Sequence, residues 1–296
     1  MILITGASGF IGKHLLNSLI KIYKKEKIVA LTSKPINDCK FIIHNNYNFD
    51  SDYIIKCGFE NIETIIHLGA FIPKAGIDAN QIIECNSNIY STTKLLSSNL
   101  PRLKKFIFFS TVDVYANDNP ITEKTLLSPS SLYGDSKVYC EQIVSAWASQ
   151  KNICHQILRI GHVYGAGEEK YKKIIPVTMQ RLLSNSPIQI FGDGSEIRSF
   201  IYIQDVINAV INVIEIKNYA GIINVVGEEK ISIKELVHKI VTISGMNPKI
   251  DIIKKTTTSR DLVFSNAKMR ELLCIPEVGI KEGLTKEWNY MKNLHI

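Results

Sequence analysis

No run of this chain is apolar for long enough to cross a bilayer, and its opening residues, MILITG, carry neither a charged leader nor a cleavage site. A cytoplasmic chain with no membrane partner is expected. The six cysteines, at 39, 57, 85, 140, 154 and 274, form no CxxC pair and no metal-ligand spacing. Neither a disulfide framework nor a metal site is expected, and the thiols read as reduced. Internal repeats and low-complexity tracts are absent as well. The charge excess is small, +7 from 35 basic and 28 acidic residues. Its densest early run, KIYKKEK (21–27), lacks the interleaved aromatics that stack nucleic-acid bases. That run reads as a helix C-terminus, where the dipole favours cations. No nucleic-acid partner is expected, while a mildly basic surface suits an anionic small molecule.

What is present is an alternation. Short β-branched runs at Ile2–Thr5, Ile28–Leu31, Thr64–Leu68, Phe106–Ser110 and Ile157–Ile160 are separated by helix-like segments. The helix candidates are Ile11–Tyr23, Gln81–Ser98 and Tyr133–Gln150, then Ile174–Asn185, Ile203–Ile214 and Ile233–Ser244; IINVVG (222–227) reads as a late strand. This rhythm predicts an α/β chain: a Rossmann-type doubly wound parallel sheet with a small C-terminal substrate-binding region. At Gly165–Lys173 the rhythm breaks. The expected division is a dinucleotide-binding domain over 1–165 with a return segment at 200–227, and a substrate region formed by 166–199 and 228–296.

ITGASGFIGKHLL (4–16) places Gly6, Gly9 and Gly12 between the first strand and the first helix. Glycines there permit a tight turn, close approach of the backbone to a pyrophosphate, and close helix–strand packing. The helix N-terminus then offers oriented N–H groups to the anion. The spacing is GxxGxxG rather than GxGxxG, so position between strand and helix carries more of the argument than the triplet itself. An NAD site usually has an acid at the end of the second strand for the ribose 2′-hydroxyl. Here that strand ends ALTSKP (30–35), with Thr32, Ser33 and Lys34 and no acid. A 2′-phosphate suits such a set, so NADP(H) is favoured and NAD(H) is the alternative; Lys34 as a plain surface lysine is the competing reading.

LYGDSKVYCEQ (132–142) sets Tyr133 and Lys137 four residues apart, on one helix face. A free tyrosine, with a pKa near 10, is a poor proton carrier at neutral pH. An ammonium one turn away stabilises the phenolate and lowers that value. STVDVYA (110–116) closes the strand between the glycine turn and this helix, offering Ser110, Thr111 and Asp113.

Taken together, the chain resembles the extended short-chain dehydrogenase/reductases, in particular their nucleotide-sugar epimerases, dehydratases and ketoreductases. TGASGFIG is similar to the cofactor motif, IIHLGA (65–70) to HLAA, NIYSTTKLL (88–96) to NVxGTxxLL, and FFSTVDVYA to FSSxxVYG. LRIGHVYGAG (158–167) is similar to LRxxNVYGPG, IRSFIYIQDV (197–206) to RDFxYVxDV, and INVVGEEKIS (223–232) to NxGxGxxxS. The resemblance covers essentially the full length. It implies that Gly6, Ser8, Gly9, Phe10, Ile11, Gly12, Leu68, Ala70 and Asn88 line the cofactor, with Thr32, Ser33 and Lys34 at its ribose. It implies Thr111 as the hydroxyl on the reacting substrate oxygen, Tyr133 as the proton carrier, and Lys137 on the nicotinamide ribose. Tyr115 lacks a lysine at i+4 and reads as packing or pocket wall. Arg198 and Arg260 align with arginines that clamp a diphosphate bidentately; alone, each could equally be a surface salt bridge.

Two departures bear on function. The family's 4,6-dehydratases carry an Asp-Glu pair after the threonine, whereas this chain has Val112-Asp113. Valine cannot protonate a leaving hydroxyl, so the elimination machinery is incomplete. His162 stands in place of asparagine in LRxxNVYG, a position that lines the substrate and that resembles CDP-sugar ketoreductases; a hydrogen-bonded pocket-edge residue is the plainer reading. The expected activity is NADP(H)-dependent reduction of a nucleotide-linked 4-keto-6-deoxy hexose, with Asp113, His162, Arg198 and Arg260 on the substrate. A nucleotide-sugar 4-epimerase with retained NAD is the alternative. A silent cofactor-sensing protein is a third, disfavoured by the intact Thr111, Tyr133 and Lys137. A homodimer is expected through Ile82, Ile89 and Leu96 on one helix and Tyr139, Ile143 and Trp147 on the next.

Overall fold

The computed structural model describes residues 1–116, 118–254 and 260–294. The chain divides into two compact units. The first comprises 1–116, 127–160 and 207–223, and the second 117–126, 161–206 and 224–296. The inclusion of 117–126 in the second unit is a detour that the strand–helix rhythm gives no sign of.

The first unit carries β1 (Ile2–Thr5), α1 (Phe10–Tyr23), β2 (Ile28–Thr32), β3 (Lys40–Ile43), α2 (Tyr53–Lys56) and β4 (Thr64–His67). It continues with α3 (Ile82–Leu96), β5 (Lys105–Thr111), α4 (Leu132–Lys151) and β6 (Cys154–Ile160). β1, β2 and β5 are buried along their whole length, which is why they read as continuous apolar runs rather than alternating ones. Parallel pairing joins β3 to β2, β2 to β1, β1 to β4, β4 to β5 and β5 to β6. β3 escaped the sequence reading because it is a four-residue strand at the sheet edge with three exposed positions.

α4 begins at Ser131, whose hydroxyl accepts from the Gly134 N–H, and ends at Asn152 in the left-handed conformation. α3 and α4 close the core over the sheet, with Leu95, Leu96, Cys140 and Val144 against Leu3, Ile65, Phe106 and Phe108. Leu96 therefore lies inside, not on the outer stripe expected from helical spacing, because it faces the sheet.

The second unit holds β7 (His162–Tyr164), α5 (Ile174–Leu183), β8 (Ile188–Phe191) and β9 (Ile197–Tyr202). α6 (Ile203–Glu215) and β10 (Ile222–Val225) run across the division of the chain, and β10 completes a seven-stranded sheet in the order β10-β6-β5-β4-β1-β2-β3. β11 (Lys230–Ser232), α7 (Ile233–Ser244), β12 (Ile250–Ile253), α8 (Ala267–Leu273) and α9 (Ile280–Leu294) follow. β9 lies between β11 and β7, and β12 pairs with β8. The core here is Met179, Leu182, Leu236, Ile240, Leu284 and Trp288 with their neighbours. Among the described residues, no helix is long and apolar enough to cross a membrane.

Glu168, before α5, and Glu287, on α9, are buried in this second unit. Burial holds the Glu168 carboxyl well above the usual carboxylate range, with Lys173 opposing and the Glu287 charge reinforcing the shift. Burial, with Glu169 adding to it, pushes Glu287 up to about 7. A carboxyl whose folded pKa lies above its unfolded value binds its proton more tightly in the fold. Its contribution is full below the unfolded value and is lost as pH rises through the folded one. Glu287→Gln should therefore leave Tm nearly unchanged near pH 4 and raise it by about 3 °C or more near pH 8, as calorimetry at the two pH values will read. An equal effect at both pH values would refute this.

Candidate active site

The turn after β1 is wound so tightly that only glycine fits. Gly6 has φ +69°, and a Cβ there would meet the Gly69 nitrogen at 2.8 Å. A Cβ on Gly12 would come within 2.1 Å of the Gly6 carbonyl oxygen. Gly9 donates its N–H to that same carbonyl at 2.9 Å, and α1 then opens with no acidic residue in its first turn. Ser8 is exposed, Gly9 and Ile11 are half-buried, and Phe10 is buried. β1 lies between β2 and β4, so the turn opens where strand order reverses, the position at which parallel α/β sheets bind dinucleotides. The cradle fits a pyrophosphate: bare backbone, helix N-terminus and no competing carboxylate. Leu68, after β4, borders it, its carbonyl carbon 3.0 Å from where a Cβ on Gly6 would stand, and both Leu68 and Ala70 are half-buried.

At the end of β2 the three expected groups part company. The Thr32 hydroxyl is buried and donates to the Lys34 carbonyl at 3.0 Å, so it shapes the turn. Ser33 and Lys34 are exposed.

The end of β5 and the start of α4 are brought together by a second glycine that the sequence reading passed over. A Cβ on Gly134 would sit 2.6 Å from Pro129 Cβ and 2.9 Å from the Asp113 carbonyl oxygen. Only glycine lets the first turn of α4 press against the turn that follows Thr111. Thr111 caps that turn, its Oγ1 accepting from the Asp113 N–H and donating to Asp113 Oδ2, both at 3.2 Å. Val112 is buried and Asp113 exposed. Tyr133 is 6% exposed, with the Phe71 ring edge-on at 6.5 Å between centroids. Lys137 is buried; its ammonium donates to the Phe109 carbonyl at 2.9 Å and lies 5.0 Å from the Phe108 ring centroid. Burial pulls Lys137 down to about 8, against the pull of Cys140 and Glu141.

Behind these groups runs a hydrogen-bond chain that sequence alone did not reveal. The Thr92 hydroxyl donates to the Asn88 carbonyl at 2.7 Å, so it accepts from His67 Nε2 at 3.1 Å. His67 Nδ1 is then an acceptor and takes the Thr5 hydroxyl at 2.7 Å, while Thr5 accepts from the Gly69 N–H at 2.8 Å. Burial, with the nearby Lys137 charge adding to it, holds His67 down to about 3, so it stays neutral. The Asn88 side chain accepts from the Phe71 N–H at 2.7 Å and donates to Ser136 Oγ at 3.4 Å. Ser136 in turn donates to the Tyr133 carbonyl at 2.7 Å. Thr5, the residue before the glycine turn, is thereby linked through β4 and α3 to the helix that bears Tyr133. HLGA and the polar residues of α3 were the available signal, but only the fold shows that they meet.

In the second unit, His162 opens β7, with the Phe200 ring 6.0 Å and the Phe264 ring 6.3 Å away between centroids. Arg198, on β9, and Arg260 do converge: Arg198 Nη1 donates to the Arg260 carbonyl at 2.6 Å. Asp261 accepts from the Ile197 N–H at 2.8 Å and pins the Arg260 segment beside β9. Among the described residues, no cluster of three or more His, Cys, Asp or Glu could hold a metal.

Comparison with known proteins places the chain. The profile described as "NAD dependent epimerase/dehydratase family" matches residues 2–227, and the chain belongs to that family. It is 28% identical over 304 residues to a putative UDP-glucose 4-epimerase of Methanocaldococcus jannaschii, covering 99% of each chain. It is 29% identical over 306 residues to the dTDP-4-dehydro-6-deoxyglucose reductase of Escherichia coli, covering 96% of this chain and 95% of the relative. Among solved structures, UDP-glucuronic acid 4-epimerase from Bacillus cereus in complex with UDP-glucuronic acid and NAD has TM-score 0.87 and 28% identity, covering 99% of each chain. That Bacillus cereus structure holds both a nucleotide sugar and NAD.

The glycine turn gives a direct test of its own. Gly12→Ala should weaken NADH and NADPH binding by more than about 10-fold in a fluorescence titration, because the added methyl forces the turn open. Binding within twofold of the parent would show that the turn does not hold the cofactor.

Proposed function

We propose that this member of the NAD dependent epimerase/dehydratase family is an NADP(H)-linked oxidoreductase acting on a nucleotide-linked hexose, reducing a 4-keto-6-deoxy sugar. The observation that carries the reading is position 112. Val112 is buried directly after Thr111, and Asp113 beyond it turns outward. No acid follows the threonine where elimination of a 6-hydroxyl would require one, whereas the groups that serve hydride transfer are all present.

Bound in the turn, the nicotinamide would supply the hydride. The backbone of Gly6, Ser8, Gly9, Phe10, Ile11 and Gly12 would hold the pyrophosphate, and Ser33 and Lys34 the ribose phosphate, with Thr32 shaping their turn. Leu68 and Ala70 would border the dinucleotide. Asn88, whose amide is occupied by Phe71 and Ser136, would act on that wall rather than on the ring. The Thr111 hydroxyl would turn from Asp113 to donate to the sugar's carbonyl oxygen, and Tyr133 would deliver the proton as that oxygen becomes a hydroxyl. Lys137, when protonated, favours the phenolate left on Tyr133 and draws the proton relay toward neutral pH. Arg198 and Arg260 would bind the diphosphate and His162 the sugar, with Asp113 as a further sugar contact.

A 4-epimerase with retained NAD is the second reading, favoured by the full-length likeness to the Bacillus cereus enzyme. It would use Thr111, Tyr133 and Lys137 in the same way. The experiment that separates the two is incubation of the purified protein with dTDP-, GDP-, CDP- and UDP-linked 4-keto sugars and NADPH or NADH. Stoichiometric NADPH consumption is expected. Interconversion of two nucleotide sugars without added cofactor would overturn reduction in favour of epimerisation, and tight cofactor binding with no turnover would revive a sensor. Tyr133→Phe should lower turnover by about 10²–10⁴-fold while cofactor affinity holds; near-normal turnover would move the proton relay elsewhere.

The proposal extends to a cytoplasmic homodimer. Ile82 and Ile83 on α3 are 67% and 81% exposed, and Tyr139 on α4 is 50% exposed, adjoining the half-buried Ile89, Ile143 and Trp147. Leu96 drops out of this face, being in the core. A second copy covering this apolar strip is expected. Sedimentation at micromolar concentration should give the mass of two chains, and Ile82→Glu with Ile83→Glu should give one. A monomeric parent would end this part of the reading.

A further inference from the structure

We propose that Glu141, clamped by Arg159 and Ser110, is a positioning residue: it fixes how the Tyr133–Lys137 face of α4 meets the Thr111 end of β5. The inference rests on the reading of Thr111, Tyr133 and Lys137 given above, and it concerns residues that touch neither substrate nor cofactor in that reading.

Tyr133, Lys137 and Glu141 recur every four residues, so the three share one face of α4. The Glu141 carboxylate is buried and held from two strands at once. Arg159, on β6, donates Nε to Oε1 at 2.9 Å and Nη2 to Oε2 at 2.6 Å, a two-pronged contact. Ser110, on β5, donates its hydroxyl to Oε1 as well. Ser110 and Arg159 are register partners across the parallel β5–β6 pair, which is why both reach the same carboxylate. Arg159 is itself fixed, its guanidinium 4.7 Å from the Tyr115 ring centroid.

Ser110 is covalently joined to Thr111. The tie therefore begins one residue from the proposed substrate-binding hydroxyl and ends one helical turn from Lys137. The apolar contacts that α4 makes through residues such as Cys140 and Val144 would tolerate a small slide or rotation of the helix. A fork-to-carboxylate contact would not, because displacement breaks parallel hydrogen bonds and leaves a buried charge uncompensated. A misplacement of roughly 1 Å in a reacting group costs about 10²-fold in rate. Buried ion pairs add little net stability over apolar groups of equal volume, so geometry is the stronger account of why one sits here.

The clamp also has an electrostatic consequence. From β5, Lys137 faces the Phe109 carbonyl and the Phe108 ring; from β4 it faces His67, which burial keeps neutral. On α4 its neighbours are Tyr133, the Cys140 thiol, which burial pushes up, and Glu141. Glu141 is the carboxylate in this set, and its charge favours the protonated form of Lys137.

The test uses Glu141→Leu combined with Arg159→Met, a volume-conserving neutral pair expected to fold, and Ser110→Ala, which spares the ion pair. Each is compared with the parent and with Tyr133→Phe by calorimetry, NADPH titration, kcat against pH on the 4-keto nucleotide sugar that the parent turns over fastest, and amide hydrogen exchange. The double variant should keep Tm and bind NADPH within about threefold, yet lose about 10²-fold in kcat. Its alkaline limb should move to lower pH, since Lys137 loses the charge that helps it stay protonated. Exchange should quicken over 134–141 and not elsewhere. Ser110→Ala should show the same local exchange more weakly.

A stable double variant with parental kcat, alkaline limb and exchange would overturn the inference. So would an unfolded double variant beside a wholly parental Ser110→Ala, which would leave the cluster a stability role alone. Parental activity in Tyr133→Phe would instead sink the catalytic reading, while the exchange data would still decide whether Glu141 positions α4.

Discussion

An ammonium buried without solvent sets the terms for everything packed around the start of α4. Lys137 has one hydrogen-bond acceptor from the sheet, the Phe109 carbonyl, and an aromatic face beneath it. Taking such a charge out of water is costly, and the group responds by giving up its proton more readily. The same burial acts on the neighbours. With the lysine charge adding to it, burial keeps His67 a neutral relay with one fixed tautomer. Burial keeps Cys140 a thiol against the pull of the lysine, and the Glu141 carboxylate, whose charge favours the ammonium, is paired with Arg159. Burial, more than the cation, thus sets the protonation states of His67 on β4 and Cys140 on α4.

The same region depends on bare backbone in two places. The phosphate turn closes because Gly12 has no Cβ to meet the Gly6 carbonyl, and α4 docks because Gly134 has none to meet Asp113. Between these contacts runs the chain from Thr5 through His67, Thr92, Asn88 and Ser136 to the Tyr133 carbonyl. Three of these links, Thr5 to His67, His67 to Thr92 and Asn88 to Ser136, join segments remote in sequence, so the cofactor turn and the tyrosine-bearing helix are held in one frame by polar contacts as well as by the apolar core. Buried polar networks of this kind tolerate few alternative arrangements, since a broken link leaves an unsatisfied group in a dry interior.

How much of this was legible in the sequence follows from the range of the contacts involved. The parallel sheet was, because both-face burial writes itself as unbroken β-branched runs. So were the glycine turn and the Tyr133–Lys137 spacing, which are local along the chain. Glu141 and Arg159 were not, because nothing in either segment says that residue 159 lies in register with residue 110. Gly134 passed unremarked inside a helix for the same reason: its partner is the backbone of residue 113. Leu96 was misplaced because helical spacing tells which residues share a face but not which face meets the sheet. β7, β8, β9, β11 and β12 were missed as strands: four of them have only three or four residues, too few to show a period, and β9 was absorbed into a family motif.

The end of β2 shows how a residue type can suit a chemistry and still take a different role in the fold. Three consecutive groups, Thr32, Ser33 and Lys34, would all suit a phosphate, yet the Thr32 hydroxyl is folded back on Lys34 and buried. What remains outward is one hydroxyl and one flexible ammonium. An ammonium on a four-carbon stem is a point charge that attracts a phosphate without gripping it geometrically, unlike an arginine fork. Such a contact discriminates between cofactors by charge while adding little to residence time, because exposed charges are screened by water and salt. A catalyst that must exchange its cofactor at every turnover gains from that arrangement, whereas one that returns hydride to the same sugar gains from a tighter hold. In the proposed reading, the terminus of β2 would suit reduction for the same physical reason that it would suit a phosphorylated dinucleotide.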